Sequence, residues 1–351
     1  MSNNLTKIHP HVCIVLLNWN RWRDTIECLE SVFRLDYPRF TVIVCDNAST
    51  DGSFEAIEGW ARGDVTAAVR EPGLLRLMQP AVPKPLRVLK PDCERIADSA
   101  ARGLPSLVLI QTGSNLGFAG GNNVGIRYAL KRGDCDYIWL LNNDTVVEPD
   151  ALSKIVEAAE EDPQLGICGS MIRAYASPHE ILTAGGRKYN RWTGRTRTIQ
   201  DVATPSTSKP SEPDYIEGAS MLVSQRFLQE TGLLEERYFL YFEELDWAAR
   251  ARPRFHLGYC PTSIVYHKEG RSIGSALDRE SRSTLSEFYL TRNRLVFTRR
   301  YHPWCVLSVL AAIAASALQR LLIGMPKSAA AILQGAFASF DCAKSQGQVI
   351  R

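Results

Sequence analysis

Four short runs of apolar residues, at 12–17 (VCIVLL), 41–45 (TVIVC), 107–110 (LVLI) and 137–141 (YIWLL), carry no polar alternation. Strands covered on both faces read this way, and such strands are neighbours in a parallel sheet. Between the first two runs, in RDTIECLESVFRLDYP (23–38), Ile26, Leu29, Val32 and Phe33 fall on one helical face. Asp24 followed by Glu27 has the spacing of a capping pair, and Pro38 suits the turn after the helix. GGNNVGIRYALKRG (120–133) supplies a second helix between the third and fourth runs. The pattern predicts an α/β fold with a mostly parallel central sheet.

Each run leads into a polar cluster: 18–20 (NWN), 46–53 (DNASTDGS), 112–115 (TGSN) and 142–144 (NND). Any one of these alone makes an ordinary turn. Ligands of open α/β sheets bind outside the carboxyl ends of the strands, so four such clusters together predict one crevice.

With 45% hydrophobic residues the chain can bury a sizeable core, and a formal charge of +3 without a basic, aromatic-interleaved stripe in the first 270 residues argues against nucleic acid as a partner. Nine cysteines without a Cys-x-x-Cys pair read as a reduced, cytosolic chain. The N-terminus, MSNNLTKIHPH, lacks the apolar core of a signal peptide, so the active face is expected to look onto the cytoplasm. Residues 61–103, rich in Pro, Arg and Ala, break the strand–helix rhythm and read as an irregular insertion. Residues 201–213 (DVATPSTSKPSEP) read as a flap.

NLGFAGGNNVG (115–125) has glycines at 117, 120 and 121 that let backbone approach a ligand, with Asn122 and Asn123 opening a helix. It is neither GxGxxG nor a P-loop, which removes the best evidence for hydride transfer and for ATP hydrolysis. Together with IVLLNWN (14–20), VIVCDNASTDGS (42–53), YIWLLNND (137–144) and YIEGASMLVSQRFLQETGLLEERYFLYFEELDWAARAR (215–252), it resembles glycosyltransferase family 2, the inverting enzymes of the GT-A nucleotide-sugar fold. The string at 115–123 is similar to that of the rhamnosyltransferase-like members.

The resemblance implies a nucleoside diphosphate sugar donor, a divalent cation (Mg²⁺ or Mn²⁺) and an acceptor hydroxyl on a glycan or lipid-linked intermediate. It implies that Asp46 takes the nucleobase, with Asn18, Asn20, Asn115, Gly117, Gly121, Asn122, Asn142 and Asn143 also around the donor. Asp144 falls on the metal-binding aspartate of the family's Asp-x-Asp motif, where Asn142 replaces the first aspartate, and His267 falls on a third metal ligand. Glu244 stands where the family has its catalytic base, with Glu243 and Asp246 as competitors in an acid-rich first helical turn. Such a turn is also what a helix dipole favours without any catalysis. Lys268 and Arg271 are placed to meet a diphosphate or to face solvent. The donor implied is dTDP-L-rhamnose, although a UDP-sugar would satisfy the same residues.

These readings divide the chain into a catalytic domain at 1–275, with a nucleotide-binding half (11–150) and an acceptor half (151–275), and a helical region at 276–351. In the latter, arginines beside aromatics (289–304) precede the apolar stretch WCVLSVLAAIAASALQRLLIGM (304–325). From Trp304 to Leu318 that stretch is short for a membrane span before Gln319 and Arg320 interrupt it, and it predicts a pair of helices lying on an anionic membrane surface, which would make the protein peripheral at the inner face of the cell membrane. A helical subdomain or a homo-oligomer interface is the alternative. From other function classes, a non-catalytic nucleotide-sugar-binding scaffold remains, motivated by Asn142 and Glu244 at two motif positions. A sugar nucleotidyltransferase lacks its Gly-rich loop after Leu17.

Overall fold

The computed structural model describes residues 9–91, 107–200, 212–268 and 283–344. The end of the expected insertion (92–103), nearly all of the expected flap, Arg271 and the boundary at 275 lie outside the described residues, whereas 61–91 is described and carries a short 3₁₀ turn at Pro72–Leu77.

The four apolar runs are strands β1 (Val12–Asn18), β2 (Phe40–Asp46), β4 (Leu107–Gln111) and β5 (Tyr137–Asn142), and all neighbours among them are parallel. With the two-residue β3 (Val88–Leu89) they form one half of a ten-stranded sheet, in the order β3-β4-β2-β1-β5. The sheet continues through β11 (Ser220–Ser224), β7 (Leu165–Ala174), β12 (His256–His267) and β6 (Thr145–Val147), with β8 (Ile181–Ala184) paired to β7. Successive strand residues feed opposite cores, as pleating requires. Ile14, Leu16, Val42 and Val44 pack with α1 (Trp22–Val32), α2 (Ser53–Arg62) and α4 (Ala151–Glu161), whereas Cys13, Val15, Ile43 and Cys45 pack with α3 (Gly117–Arg132) on the other face. Seven cysteines, Cys13, Cys28, Cys45, Cys135, Cys168, Cys260 and Cys305, are buried.

Asp24 and Glu27 do not cap α1. The helix starts at Trp22 without a side-chain cap, and both carboxylates turn inward to grip the buried Lys268, whose Nζ lies 2.7 Å from Asp24 Oδ1. Lys268 is thereby committed to holding α1 against the end of β12 rather than to a diphosphate. Without it the buried Glu27 would lose its ion-pair partner, and Asp24 would keep only Arg70 at 3.5 Å.

Beyond α5 (Gln225–Thr231) and α6 (Glu243–Ala251) the chain ends in α7 (Thr284–Tyr301), α8 (Val306–Leu322) and α9 (Pro326–Lys344). Their shared core is Leu295, Cys305, Val309, Ile313, Ala317 and Ile332. A buried pair, Arg320 with Glu287, explains the charge that interrupts the apolar stretch. Residues 303–322 are long and apolar enough to cross a membrane, with mean hydropathy 1.9 and 28% of the window buried against the rest of the chain.

Candidate active site

The parallel register brings the strand ends level: Asn18 pairs with Asp46, and Leu17 with Asn142. A crevice of about 330 Å³ opens above them, lined among others by Trp19, Arg21, Asn47, Asn115, Gly117, Asn142, Asn143, Asp144 and His267. The remaining wall is apolar, with Leu17, Phe118, Leu240 and Leu285 and two aromatics from far along the chain, Phe239 and Tyr289. Phe239 and Tyr289 stack with ring centroids 5.0 Å apart.

Of the expected donor residues, Asn115, Gly117, Asn142 and Asn143 line this crevice, and Asp46 does not. Asp46 is fully buried, accepting from Asn18 Nδ2 (2.7 Å), Ser49 Oγ (2.6 Å) and Ser49 N (3.1 Å). Its neighbour Asn47 faces the crevice and clasps the next loop, donating to Asn115 Oδ1 (2.9 Å) and accepting from Leu116 N (2.9 Å). Asn18 lies in the same buried layer as Asp46, accepting from Thr25 and Asn143. Asn20 latches the loop through Thr50 N, and Asn122 donates back to Phe118 O within its helix. These three support the crevice wall from behind. Gly121 serves packing instead of ligand approach, because a Cβ there would collide with Leu17. Gly117 does border the crevice: it has φ +70°, and a side chain would strike Phe239.

On the β12 side, Thr145 pairs in register with His267, which sets the imidazole beside the preceding residue, Asp144. His267 Nε2 lies 3.1 Å from Asp144 Oδ1 and 3.4 Å from Asn142 Nδ2. Both Asp144 and His267 are largely buried at the crevice edge. Among the described residues no group of three or more His, Cys, Asp or Glu comes together to hold a metal. One carboxylate, one imidazole and one amide fit a divalent cation whose other ligands arrive with a diphosphate, and the imidazole favours Mn²⁺ over the harder Mg²⁺.

The three acidic residues of α6 have different surroundings. Asp246 is fully buried and fully partnered, with Arg250 at 2.7 Å, Tyr301 Oη at 2.8 Å and Arg300 at 3.4 Å. It ties α6 to α7, and no acceptor hydroxyl can reach it. Glu243 is also buried, and its Oε2 finds no hydrogen-bond donor among the described residues. Burial, and after it the adjacent Glu244, push its carboxyl well above the usual carboxylate range. Glu244 is half-buried, and burial raises it to about 7, opposed by nearby backbone N–H groups and by the Arg187 guanidinium. A methyl group on Gly218 would sit 2.6 Å from Glu244 Oε1 and 3.1 Å from Phe118 Cζ. The bare glycine thus lets Glu244 approach the aromatic wall of the crevice.

The turn before α6 is strained. Phe239, Tyr241 and Phe242 have φ of 63°, 68° and 76°, each costing roughly 1–3 kcal/mol outside glycine. It is held by the buried Asn293 of α7, whose Nδ2 donates to Tyr238 O (2.8 Å), Leu240 O (2.8 Å) and Tyr241 O (3.0 Å). Sequence reasoning pointed to the aromatic run Tyr238 to Phe242, which supplies Phe239, but missed Asn293, Asn47 and Tyr289. Only Asn47, inside the DNASTDGS cluster, left a local signal.

A family model described as glycosyltransferase-like family 2 matches residues 88–285, and one described as glycosyl transferase family 2 matches residues 13–72. The chain belongs to glycosyltransferase family 2. It is 26% identical to the low-salt glycan biosynthesis hexosyltransferase Agl10 of Haloferax volcanii over 46% of this chain and 51% of that protein. The match therefore spans about half the length of that relative. It is 27% identical to an N-acetylglucosaminyl-diphospho-decaprenol L-rhamnosyltransferase of Mycobacterium tuberculosis, over 60% of this chain and 77% of that protein. Among solved structures, it is similar in fold to the mannosyltransferase PcManGT from Pyrobaculum calidifontis in complex with GDP-Man and Mn²⁺, with TM-score 0.51 and 15% identity over 95% of this chain and 88% of that one. A structure of GalNAc-T7 with UDP, GalNAc and Mn²⁺ gives TM-score 0.52 and 12% identity over 82% and 51%. The fold is that of GT-A glycosyltransferases.

Proposed function

We propose that this chain transfers a hexose, by preference L-rhamnose from dTDP-L-rhamnose, to a hydroxyl of a lipid-linked glycan with inversion at the anomeric carbon. The observation that carries the reading is Glu244, a half-buried carboxyl raised to about 7, one glycine away from a crevice edged by Asp144 and His267. A general base works best when its pKa is near the operating pH. Rhamnose and the lipid-linked acceptor are supported by the mycobacterial relative's name.

In this reading Asp144, His267 and the Asn142 amide hold a divalent cation, as expected from neighbours solved with Mn²⁺. When bound, it supplies positive charge to the leaving diphosphate. Asn47 and Asn115 orient the nucleoside, Phe239 and Tyr289 exclude water, and Glu244 Oε1 takes the proton of the attacking hydroxyl.

Exchanging Asp46 and Asn47 one at a time separates support from contact. Asp46→Ala should lower stability by about 2 kcal/mol, since it strands buried donors of Asn18 and Ser49. Asn47→Ala should instead weaken nucleotide binding, measured by titration calorimetry, beyond the fall in melting temperature that losing its clasp on Asn115 and Leu116 brings. Equal nucleotide affinity in Asn47→Ala and the parent would return the nucleoside contact to another residue.

The deciding assay mixes the protein, Mn²⁺ and an N-acetylglucosaminyl-diphospho-polyprenol with dTDP-rhamnose, UDP-N-acetylglucosamine or GDP-mannose in turn, with products read by mass spectrometry. Rhamnose should be added to the lipid-linked acceptor. Transfer from UDP-N-acetylglucosamine alone would correct the donor, and tight donor binding with no transfer from any donor would leave a nucleotide-sugar-binding scaffold.

A further inference from the structure

Away from the donor crevice, the hairpin of β9 (Arg187–Asn190) and β10 (Arg195–Thr198) forms one wall of a groove of about 860 Å³, whose other walls are α6 and the end of α7. Five cationic side chains line it, Lys188, Arg191, Arg195, Arg197 and Arg252, against a single acid, Asp214, which Arg252 engages at 3.0 Å. Lys188, Arg191 and Arg197 have no carboxylate within ion-pair distance among the described residues. So much positive charge in one concavity raises the local concentration of anions.

The groove's position gives it a direction. At one end the hairpin begins at Arg187, which pairs with Glu217 at 3.1 Å and whose charge is felt by Glu244. Arg187 also lines a smaller cavity of about 110 Å³, and Arg195 and Thr196 line both that cavity and the groove. At the other end His302 lines the groove and packs edge-on against Trp304, with ring centroids 5.9 Å apart. Trp304, 65% exposed, starts an apolar face that continues through Leu307 at 81% and Leu322 at 78%. The order along the surface is base, cations, then exposed apolar helix. An acceptor with a sugar hydroxyl, a diphosphate and a prenyl chain carries its groups in that order.

We propose that the hairpin groove binds the diphosphate of a prenyl-diphosphate-linked acceptor, with the first isoprene units against Trp304 and α8. This rests on the lipid-linked acceptor of the preceding reading, but its test does not depend on transfer. Farnesyl diphosphate serves as a soluble probe, followed by titration calorimetry on the full chain. It should bind at least ~10-fold more tightly than farnesol or inorganic pyrophosphate alone, because each of these offers one half of the amphiphile. The double variant Arg191→Glu, Arg197→Glu should lose at least ~10-fold of that affinity while binding dTDP as the parent does, and retained dTDP binding shows that the variant is folded. Trp304→Ser should weaken the probe but not pyrophosphate.

Equal farnesyl diphosphate affinity in parent and double variant would overturn the proposal. So would displacement of the probe by dTDP, which would put it in the donor crevice. If phosphatidylglycerol vesicles containing no prenyl diphosphate bind the parent and displace farnesyl diphosphate, the groove is a membrane-surface site and the assignment falls. Failure of sugar transfer with the binding pattern intact would count against the transfer reading alone.

Discussion

Replacing Glu244 by Gln should cost transfer roughly 10²- to 10⁴-fold while leaving donor affinity nearly unchanged, because Gln keeps the shape but cannot take a proton. The surroundings make Glu244 the distinctive candidate of the three. Asp246 is locked into Arg250, Arg300 and Tyr301, and Glu243 is buried, with no donor on its Oε2 among the described residues. Glu244→Asp, which restores the residue usual in the family, should keep much of the activity. The pH profile carries the same signature. A carboxyl raised to about 7 is protonated below that value, so kcat/KM of the parent should fall about tenfold per pH unit beneath it and level off above.

Stability gives an independent readout. The folded-state value lies above the ordinary 4.5, so the folded protein holds this proton more tightly than the unfolded chain does. The resulting stabilisation is complete below about 4.5 and is lost as pH rises through about 7. Glu244→Gln should therefore gain stability relative to the parent at pH 8 and show no such gain at pH 4.5, measured by chemical denaturation. Normal turnover in Glu244→Gln, alongside a dead Glu243→Gln, would move the base by one residue.

Asp144→Ala should abolish transfer, by roughly 10³-fold or more, because a divalent cation at the leaving diphosphate is worth several kcal/mol and no second carboxylate stands in its motif. The expected binding signature is specific. Mn²⁺ should raise the parent's melting temperature in the presence of dTDP, through binding to the folded state, and should do nothing for Asp144→Ala. His267→Ala should show a partial loss on both measures, since it removes one ligand and leaves the carboxylate. Unchanged activity in Asp144→Ala would sink the metal assignment, whatever the neighbours contain.

The sheet was legible because buried parallel strands are written as unbroken apolar runs, and these runs name their own ends. That is why Asn142, Asn143, Asp144 and Asn115 could be placed around one crevice before any coordinates. What misled was finer than a strand. Asp46 and Asn47 are consecutive, and consecutive residues at a strand end point to opposite sides, so a one-residue error exchanges a buried support for a crevice-facing group. Gly121 illustrates a different limit, since a glycine required by Leu17 and a glycine required by a ligand look identical in sequence. The partnership of Asp24 and Glu27 with Lys268 joins residues more than 240 positions apart. No local spacing encodes it, and the capping reading took its place.

Asn293 bears on how such a protein can be recombined. The three carbonyls it holds belong to the strained turn that aims Glu244, and its helix also sends Leu285 and Tyr289 into the donor crevice. A chimera joined near residue 275, where the sequence divides most naturally, would carry the base on one parent and the clasp that aims it on the other. Unless both parents place an asparagine there, Leu240 O and Tyr241 O lose its amide as donor, Tyr238 O keeps the Leu240 N–H, and the aromatic turn loses its clasp on α7. Modules for acceptor exchange are better cut before residue 215 or after α9, so that the base and its clasp are inherited together.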